Sequence, residues 1–339
     1  MQTLLITGSE GELGQALIDA FLEEPDTQIV AFDIREAQRK GPRLEHRVGD
    51  ITNASTVNGL FEAFRFDGVV HLAAILSSGG ERNPERTHEV NVDGSMRLLC
   101  AAQESSQRRG KAVKFIFPST IAVHGIPADA KRPGERIKEE QFNHPITMYG
   151  VNKLYIEQLG TYFSHYYKLL TSTPTDVRLD FRALRYPGIV SAETIPSGGT
   201  SDYGSEMVHA AAKGEPYACF VPPAARLPFM IMPDAVQALR QLFYAAKKEV
   251  RHDVYNVSGF TVTAEQIATK VLESFPDFII TYDPNPKRTQ IVESWPADID
   301  DSRARNDWGW RPQHDFDAAF SDYLIPRITQ KYGQLQRIP

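Results

Sequence analysis

Cysteine is nearly absent: Cys100 and Cys219 are the only two in 339 residues. They offer no disulfide framework and no thiolate spacing for a metal, so no metal site is expected. Cys100 falls in an apolar helical pattern and reads as a small buried hydrophobe. Long hydrophobic runs are also missing. The longest candidate, Val69 to Leu76, is far short of the ~20 residues that span a bilayer, and it reads as a buried strand entering a loop. There is no basic excess either: 37 Lys plus Arg stand against 43 Asp plus Glu, for a net charge of -6. With no basic stretch to follow a phosphate backbone, nucleic acid and membrane are not expected partners. A strand pattern beginning at Thr3 leaves no targeting segment, so a cytoplasmic location is expected. What is present is a 42% hydrophobic complement, enough for a sizeable core in one large domain or two smaller ones.

The first half alternates short apolar runs with helical patterns. Thr3–Thr7, Gln28–Phe32, Arg47–Gly49, Gly68–Leu72, Lys114–Pro118 and Val177–Tyr186 read as strands. Gly14–Leu22, Ser55–Phe64, Pro84–Arg109 and Met148–Tyr167 read as helices. This alternation predicts an α/β fold with a doubly wound parallel sheet of the Rossmann type. Residues 187–233 are rich in Gly, Pro and Ser, with a helix near Tyr203–Lys213. A helix over Asp234–Lys247, a strand at Val254–Val257 and a helix over Thr263–Phe275, capped by Thr263, follow. The expected division is a nucleotide-binding domain of residues 1–186 and 231–258, with a smaller C-terminal substrate lobe of 187–230 and 259–339.

Gly8, Gly11 and Gly14 stand between the first strand and the first helix, with Glu12 and Leu13 inside the turn. That position suits a pyrophosphate at a helix N-terminus. Asp33 ends the second strand, 19 residues after Gly14, where a carboxylate accepts from a ribose 2′-hydroxyl and repels a 2′-phosphate. NAD is therefore expected over NADP, with Arg35 as the dissenting residue. Asp50 and Ile51 fall at the adenine edge. His71, Leu72, Ala73 and Ala74 end the fourth strand, where the small alanines admit the cofactor; His71 also reads as a satisfied strand-end histidine. Asn91, Pro118, Tyr186 and Pro187 complete the expected cofactor contacts.

The fifth strand ends in Ser119 and Thr120. Downstream, Tyr149 and Lys153 lie four apart on a helix and share one face. A phenol with an ordinary pKa of ~10 is a poor base at neutral pH, and a neighbouring ammonium lowers it. Lys153 also suits a ribose contact that orients the nicotinamide. Tyr244 and Lys248 repeat the spacing but read as a solvated helix face. Tyr155, Tyr162 and Tyr166 read as core or interface packing. Arg185 is open to two readings, a cofactor contact or a structural ion pair.

With these parts the chain resembles the extended short-chain dehydrogenase/reductase family. Within it, six further segments are similar to the L-threonine 3-dehydrogenase branch: Ala74–Glu81, Phe117–Val123, Arg185–Gly188, Gly198–Tyr203, Leu227–Met232, and Ser294–Ser302 with Asp307–Trp310 behind it. His124, Ser78 and Gly79 depart from that pattern. The resemblance implies oxidation of the L-threonine β-hydroxyl, with Tyr149 as base, Thr120 holding the reacting oxygen, Ser119 supporting the nicotinamide end and Lys153 tuning Tyr149. It also implies a homodimer through a four-helix bundle of Pro84–Arg109 and Met148–Tyr167. For the substrate carboxylate, Ser77, Thr200 and backbone N–H groups around Gly199 are candidates, although loop hydroxyls also cap turns. Trp295 is a candidate cover, or core packing. The rival reading is a sugar-nucleotide 4-epimerase or dehydratase, with Arg226, Lys287 and Arg288 holding a diphosphate. A non-catalytic nucleotide sensor fits poorly, because it has no need of a tuned phenol.

Overall fold

The computed structural model describes residues 1–37, 39–132, 134–171, 177–194 and 199–335. Among them, seven strands form one parallel sheet. These are β1 (Gln2–Thr7), β2 (Thr27–Asp33), β3 (Leu44–Val48), β4 (Gly68–His71), β5 (Lys114–Thr120), β6 (Asp180–Tyr186) and the distant Val254–Asn256. Across the sheet they run Val254–Asn256, β6, β5, β4, β1, β2, β3. The order reverses beside β1, and in such sheets ligands bind in the crevice beyond the carboxyl ends of the strands. The doubly wound sheet expected from the strand–helix alternation is thus present. Its central strands are apolar on both faces, as in Leu4-Leu5-Ile6, because helices cover both sides.

The helices are α1 (Glu12–Leu22), α2 (Ala54–Ala63), α3 (Ser77–Arg82), α4 (Pro84–His88), α5 (Ser95–Arg109), α6 (Met148–His165), α7 (Tyr203–Lys213), α8 (Met232–Tyr244) and α9 (Ala264–Ser274). On one sheet face Leu17 and Phe21 of α1 meet Leu239 and Phe243 of α8. On the other, α2, α5 and α6 pack Phe61, Leu98 and Phe163 against Phe115 and Phe181. A third core joins Tyr203 and Met207 of α7 to Phe229, Ile267, Trp295 and Phe320. It sits beneath Arg226–Ile231, which pairs antiparallel with Phe260–Thr263 and parallel with Gly188–Val190.

Several boundaries differ from the sequence expectation. The third strand starts at Leu44, because its pairing with β2 begins at Ile29, and the sixth starts at Asp180. The helix expected over Asp234–Lys247 is α8, with a proline in its first turn, where the missing N–H costs nothing. Lys248 lies beyond its end, so Tyr244 and Lys248 do not share a helix face. The helix expected over Pro84–Arg109 is interrupted by a π-helical segment, Glu89–Gly94. Thr263 caps α9 as expected, in a capping box with Gln266. Among the described residues no helix is long and apolar enough to cross a membrane, and no cluster of potential metal ligands occurs.

Candidate active site

A cleft of about 690 Å³ opens over the carboxyl ends of the strands. Gly8 makes its sharp entry: φ is +69°, and a Cβ there would lie 2.6 Å from the Ala73 nitrogen. Only glycine admits both conditions. The turn closes through Gly11 N–H donating to the Gly8 carbonyl at 3.1 Å, and Glu12, Leu13 and Gly14 lead from it into α1 along the cleft wall. Asp33 lies at the next strand end, its carboxylate accepting from Glu10 N–H at 2.9 Å and Arg35 N–H at 3.0 Å. Oδ2 keeps a lone pair for a ribose hydroxyl. Arg35 touches Asp33 through Nε at 3.4 Å and is otherwise exposed at the same strand end. Asp50 and Ile51 line the same end, together with Arg86, which pairs with Asp50 at 2.9 Å. The glycine cradle, the strand-end acid and an apolar floor fit a dinucleotide.

At the other end β5 delivers Thr120 and α6 delivers Tyr149 and Lys153, all lining the cleft. Lys153 Nζ donates to the Pro118 carbonyl at 2.7 Å and lies 4.3 Å from the Phe117 ring and 5.6 Å from the Tyr149 ring. Burial pulls Lys153 down to about 7, opposed by the Glu157 carboxylate. Burial alone pushes the Tyr149 phenol above its ordinary range. Lys153, 5.6 Å from the Tyr149 ring, does not lower the phenol in the cofactor-free protein, where burial is the cause of its shift. Thr120 Oγ1 accepts from Ala122 N–H at 3.1 Å, which leaves its own hydrogen free.

Ser119 lies along the cleft wall, and its hydroxyl donates to Glu157, which Arg185 grips at 2.9 and 2.6 Å. Its hydrogen is thus spent within the protein, which leaves it an acceptor. The same contacts settle Arg185 as a structural ion pair. His71 and Asn91 do not line the cleft. Ser95 donates to the Asn91 carbonyl, so it accepts from His71 Nε2–H, and Nδ1 accepts from Thr7. His71 is thus neutral, and burial first, then the Lys153 charge, lowers its pKa to about 3. Asn91 instead holds the following loop, accepting from Ile75 N–H at 2.8 Å and donating to the Ile75 carbonyl at 2.9 Å.

Leu72, Ala73, Ala74, Pro118, Tyr186 and Pro187 all line the cleft, and the Tyr186 hydroxyl is anchored on the Ala235 carbonyl at 2.7 Å. On the lobe side Thr200 donates to Ser77 at 3.1 Å across 123 residues of sequence. Gly199 also lies here, but its N–H donates to the Asp202 carboxylate, so it is not free for a ligand. Gly198 lies outside the described residues. Trp295 is buried in the wall, its Nε1–H without a protein partner. Sequence reasoning missed Arg86, Asp202 and Met232 as lining residues. Asp202 was legible, since it lies two residues beyond the candidate Thr200; Arg86 had no signal beyond a helical pattern. Arg226, Lys287 and Arg288 do not line the cleft: Arg226 donates to the Thr261 carbonyl, and Arg288 lies 4.0 Å over the Phe220 ring.

Comparison with known proteins places this geometry among relatives. Residues 4–258 match the model of the NAD dependent epimerase/dehydratase family. The mitochondrial L-threonine 3-dehydrogenase of Bos taurus is 34% identical over 99% of this chain and 84% of that protein. The structure of L-threonine dehydrogenase from Clostridium difficile superposes with a TM-score of 0.84 at 28% identity, covering 98% of this chain and 99% of that one. A monomeric L-threonine 3-dehydrogenase from a metagenome gives 0.82 at 32% identity, covering 98% and 100%.

Proposed function

The chain belongs to the NAD-dependent epimerase/dehydratase family and is an NAD-dependent oxidoreductase; from that premise we propose that it oxidises the β-hydroxyl of L-threonine to L-2-amino-3-oxobutanoate. The observation that carries this reading is the meeting of Thr120, Tyr149 and Lys153 with Ser77 and Thr200 around one cleft. NAD⁺, when bound, supplies the hydride acceptor. Tyr149, as phenolate, removes the hydroxyl proton, a contribution of typically ~10²–10⁴-fold. Lys153, held on the Pro118 carbonyl, steadies that phenolate. Thr120 donates its free hydrogen to the reacting oxygen.

The lobe side suits a zwitterion. Ser77 accepts from Thr200, so its own hydrogen is available to a carboxylate. Trp295 Nε1–H is a second unspent donor. Asp202 is the carboxylate on that side of the cleft, suited to an ammonium. A sugar-nucleotide substrate would need a cation there for its diphosphate. The cations lining the cleft are Arg35, Arg86 and Lys153, all on the sheet side. We further propose that residues 1–186 with 231–258 act as the cofactor domain and 187–230 with 259–339 as the substrate lobe, in a homodimer.

NADH absorbance with a panel of β-hydroxy amino acids and UDP-sugars tests the reading. L-threonine should give steady NADH. If UDP-sugars were interconverted without net NADH while every amino acid was inert, the proposal would be wrong.

A further inference from the structure

A binding group on a loop is placed by whatever grips the loop's backbone. After β4 the chain runs along the cleft through Ile75, Leu76 and Ser77, and the Ser77 hydroxyl meets Thr200 across it. Behind this loop stands Asn91, buried and outside the cleft. Its Oδ1 accepts from Ile75 N–H at 2.8 Å, and its Nδ2 donates to the Ile75 carbonyl at 2.9 Å. One amide thus satisfies both backbone groups of one residue, as a neighbouring strand would. An ionised aspartate would meet the N–H and leave the carbonyl facing an acceptor.

Asn91 is itself fixed from the sheet. Its carbonyl accepts from the Ser95 hydroxyl at 2.6 Å, Ser95 accepts from His71 at 2.8 Å, and His71 accepts from Thr7 at 2.7 Å. These bonds run from the end of β1, in the middle of the sheet, out to the loop. Beyond the loop, Gly80 N–H donates to the Leu76 carbonyl at 2.8 Å and closes the first turn of α3. Ser77 opens that helix two residues after Ile75, so a shift of Ile75 is carried to the Ser77 hydroxyl.

We propose that Asn91 is a positioning residue for the substrate: by holding Ile75 it sets the Ser77 hydroxyl where the carboxylate of the β-hydroxy amino acid takes it. This rests on the reading of Ser77 as a donor to that carboxylate. A hydrogen bond weakens steeply once distance or angle is lost, so a loop released from its grip gives up the contact. The glycine turn and Asp33, which fit the cofactor, lie on other elements. The effect therefore falls on the amino acid and spares NAD⁺.

A double-variant cycle of N91A and S77A tests this. Each protein is assayed with L-threonine, titrated with NAD⁺ by calorimetry and melted thermally. S77A should raise KM for L-threonine about tenfold or more, the size of a lost hydrogen bond to a charged group. N91A should raise KM to a similar degree with kcat within a few-fold, and should leave NAD⁺ affinity within about twofold. Once Ser77 is already alanine, N91A should add little. If N91A raises KM by the same factor with and without Ser77, or melts earlier with no selective rise in KM, the proposal is overturned while the reading of Ser77 stands. An unchanged KM in S77A overturns both. If N91A does not fold, N91S enters the same cycle with the same expectation, since one short hydroxyl does not replace both bonds to Ile75.

Discussion

At the scale of single residues the site rests on groups whose protonation is set by burial. Tyr149 carries the proposed proton transfer, so Tyr149→Phe should keep NAD⁺ affinity within a few-fold while turnover falls by about 10²-fold or more. Paired binding and rate measurements check this, and near-normal turnover would remove Tyr149 from its role. Lys153 makes a second, independent prediction. Its folded pKa of about 7 lies below its unfolded value, so the unfolded chain holds more protons between the two. The destabilisation it causes is full below about pH 7 and relieved as pH rises through the unfolded pKa of ~10.4. In thermal melts of the cofactor-free protein, Lys153→Met should gain most over wild type near pH 6.5, and the gap should narrow towards pH 9. A gap that widened with pH would reverse the assignment. At this scale the sequence placed Thr120, Tyr149 and Lys153 on one cleft, because strand ends and four-residue helix spacing are local. It did not separate Ser119 from Thr120. Their division depends on Glu157 and Arg185, which only the tertiary fold brings together.

At the scale of elements, α6 must arrive close to the end of β5 for the phenol to reach the cleft. Gly150 permits this: a Cβ there would lie 2.1 Å from the Ala122 carbonyl oxygen, a backbone atom with little room to move. Gly150→Ala should therefore lower both melting temperature and turnover, with a stability loss of about 1–3 kcal/mol as for other overpacked sites. Unchanged melting and turnover would mean that this approach is not needed. The π-helical segment Glu89–Gly94 works in the same way on the other wall, turning Asn91 inward to hold Ile75. Hydrophobic period alone reads that stretch as one helix, since a π-bulge is a local insertion that keeps both flanking helices apolar on one side. The short α3 escaped notice for a related reason. Its Ser-Ser-Gly-Gly start has poor helical propensity, and it is tied to α6 by Glu81 accepting from Met148 N–H at 2.9 Å.

At the scale of the whole molecule, the alternating pattern made the doubly wound sheet legible, including the late return of Val254–Asn256. The lobe was less so, because its short strands pair across long separations in a Gly- and Pro-rich stretch. The outer face of α5 and α6 leaves Met96, Val151, Tyr155 and Tyr162 exposed, with Tyr166 just beyond the end of α6. Unpartnered apolar side chains on one face favour an interface, so light scattering at micromolar concentration should give a dimer and Tyr155→Glu should weaken it. A monomeric wild type would instead align this chain with the metagenomic relative. The central claim is hydride transfer from the β-carbon of L-threonine to NAD⁺, with Tyr149 taking the proton. L-threonine carrying deuterium at the β-carbon tests it most directly. The account predicts one deuterium in the dihydronicotinamide of the NADH formed and a slower rate than with unlabelled substrate. NADH formed without the label would contradict it.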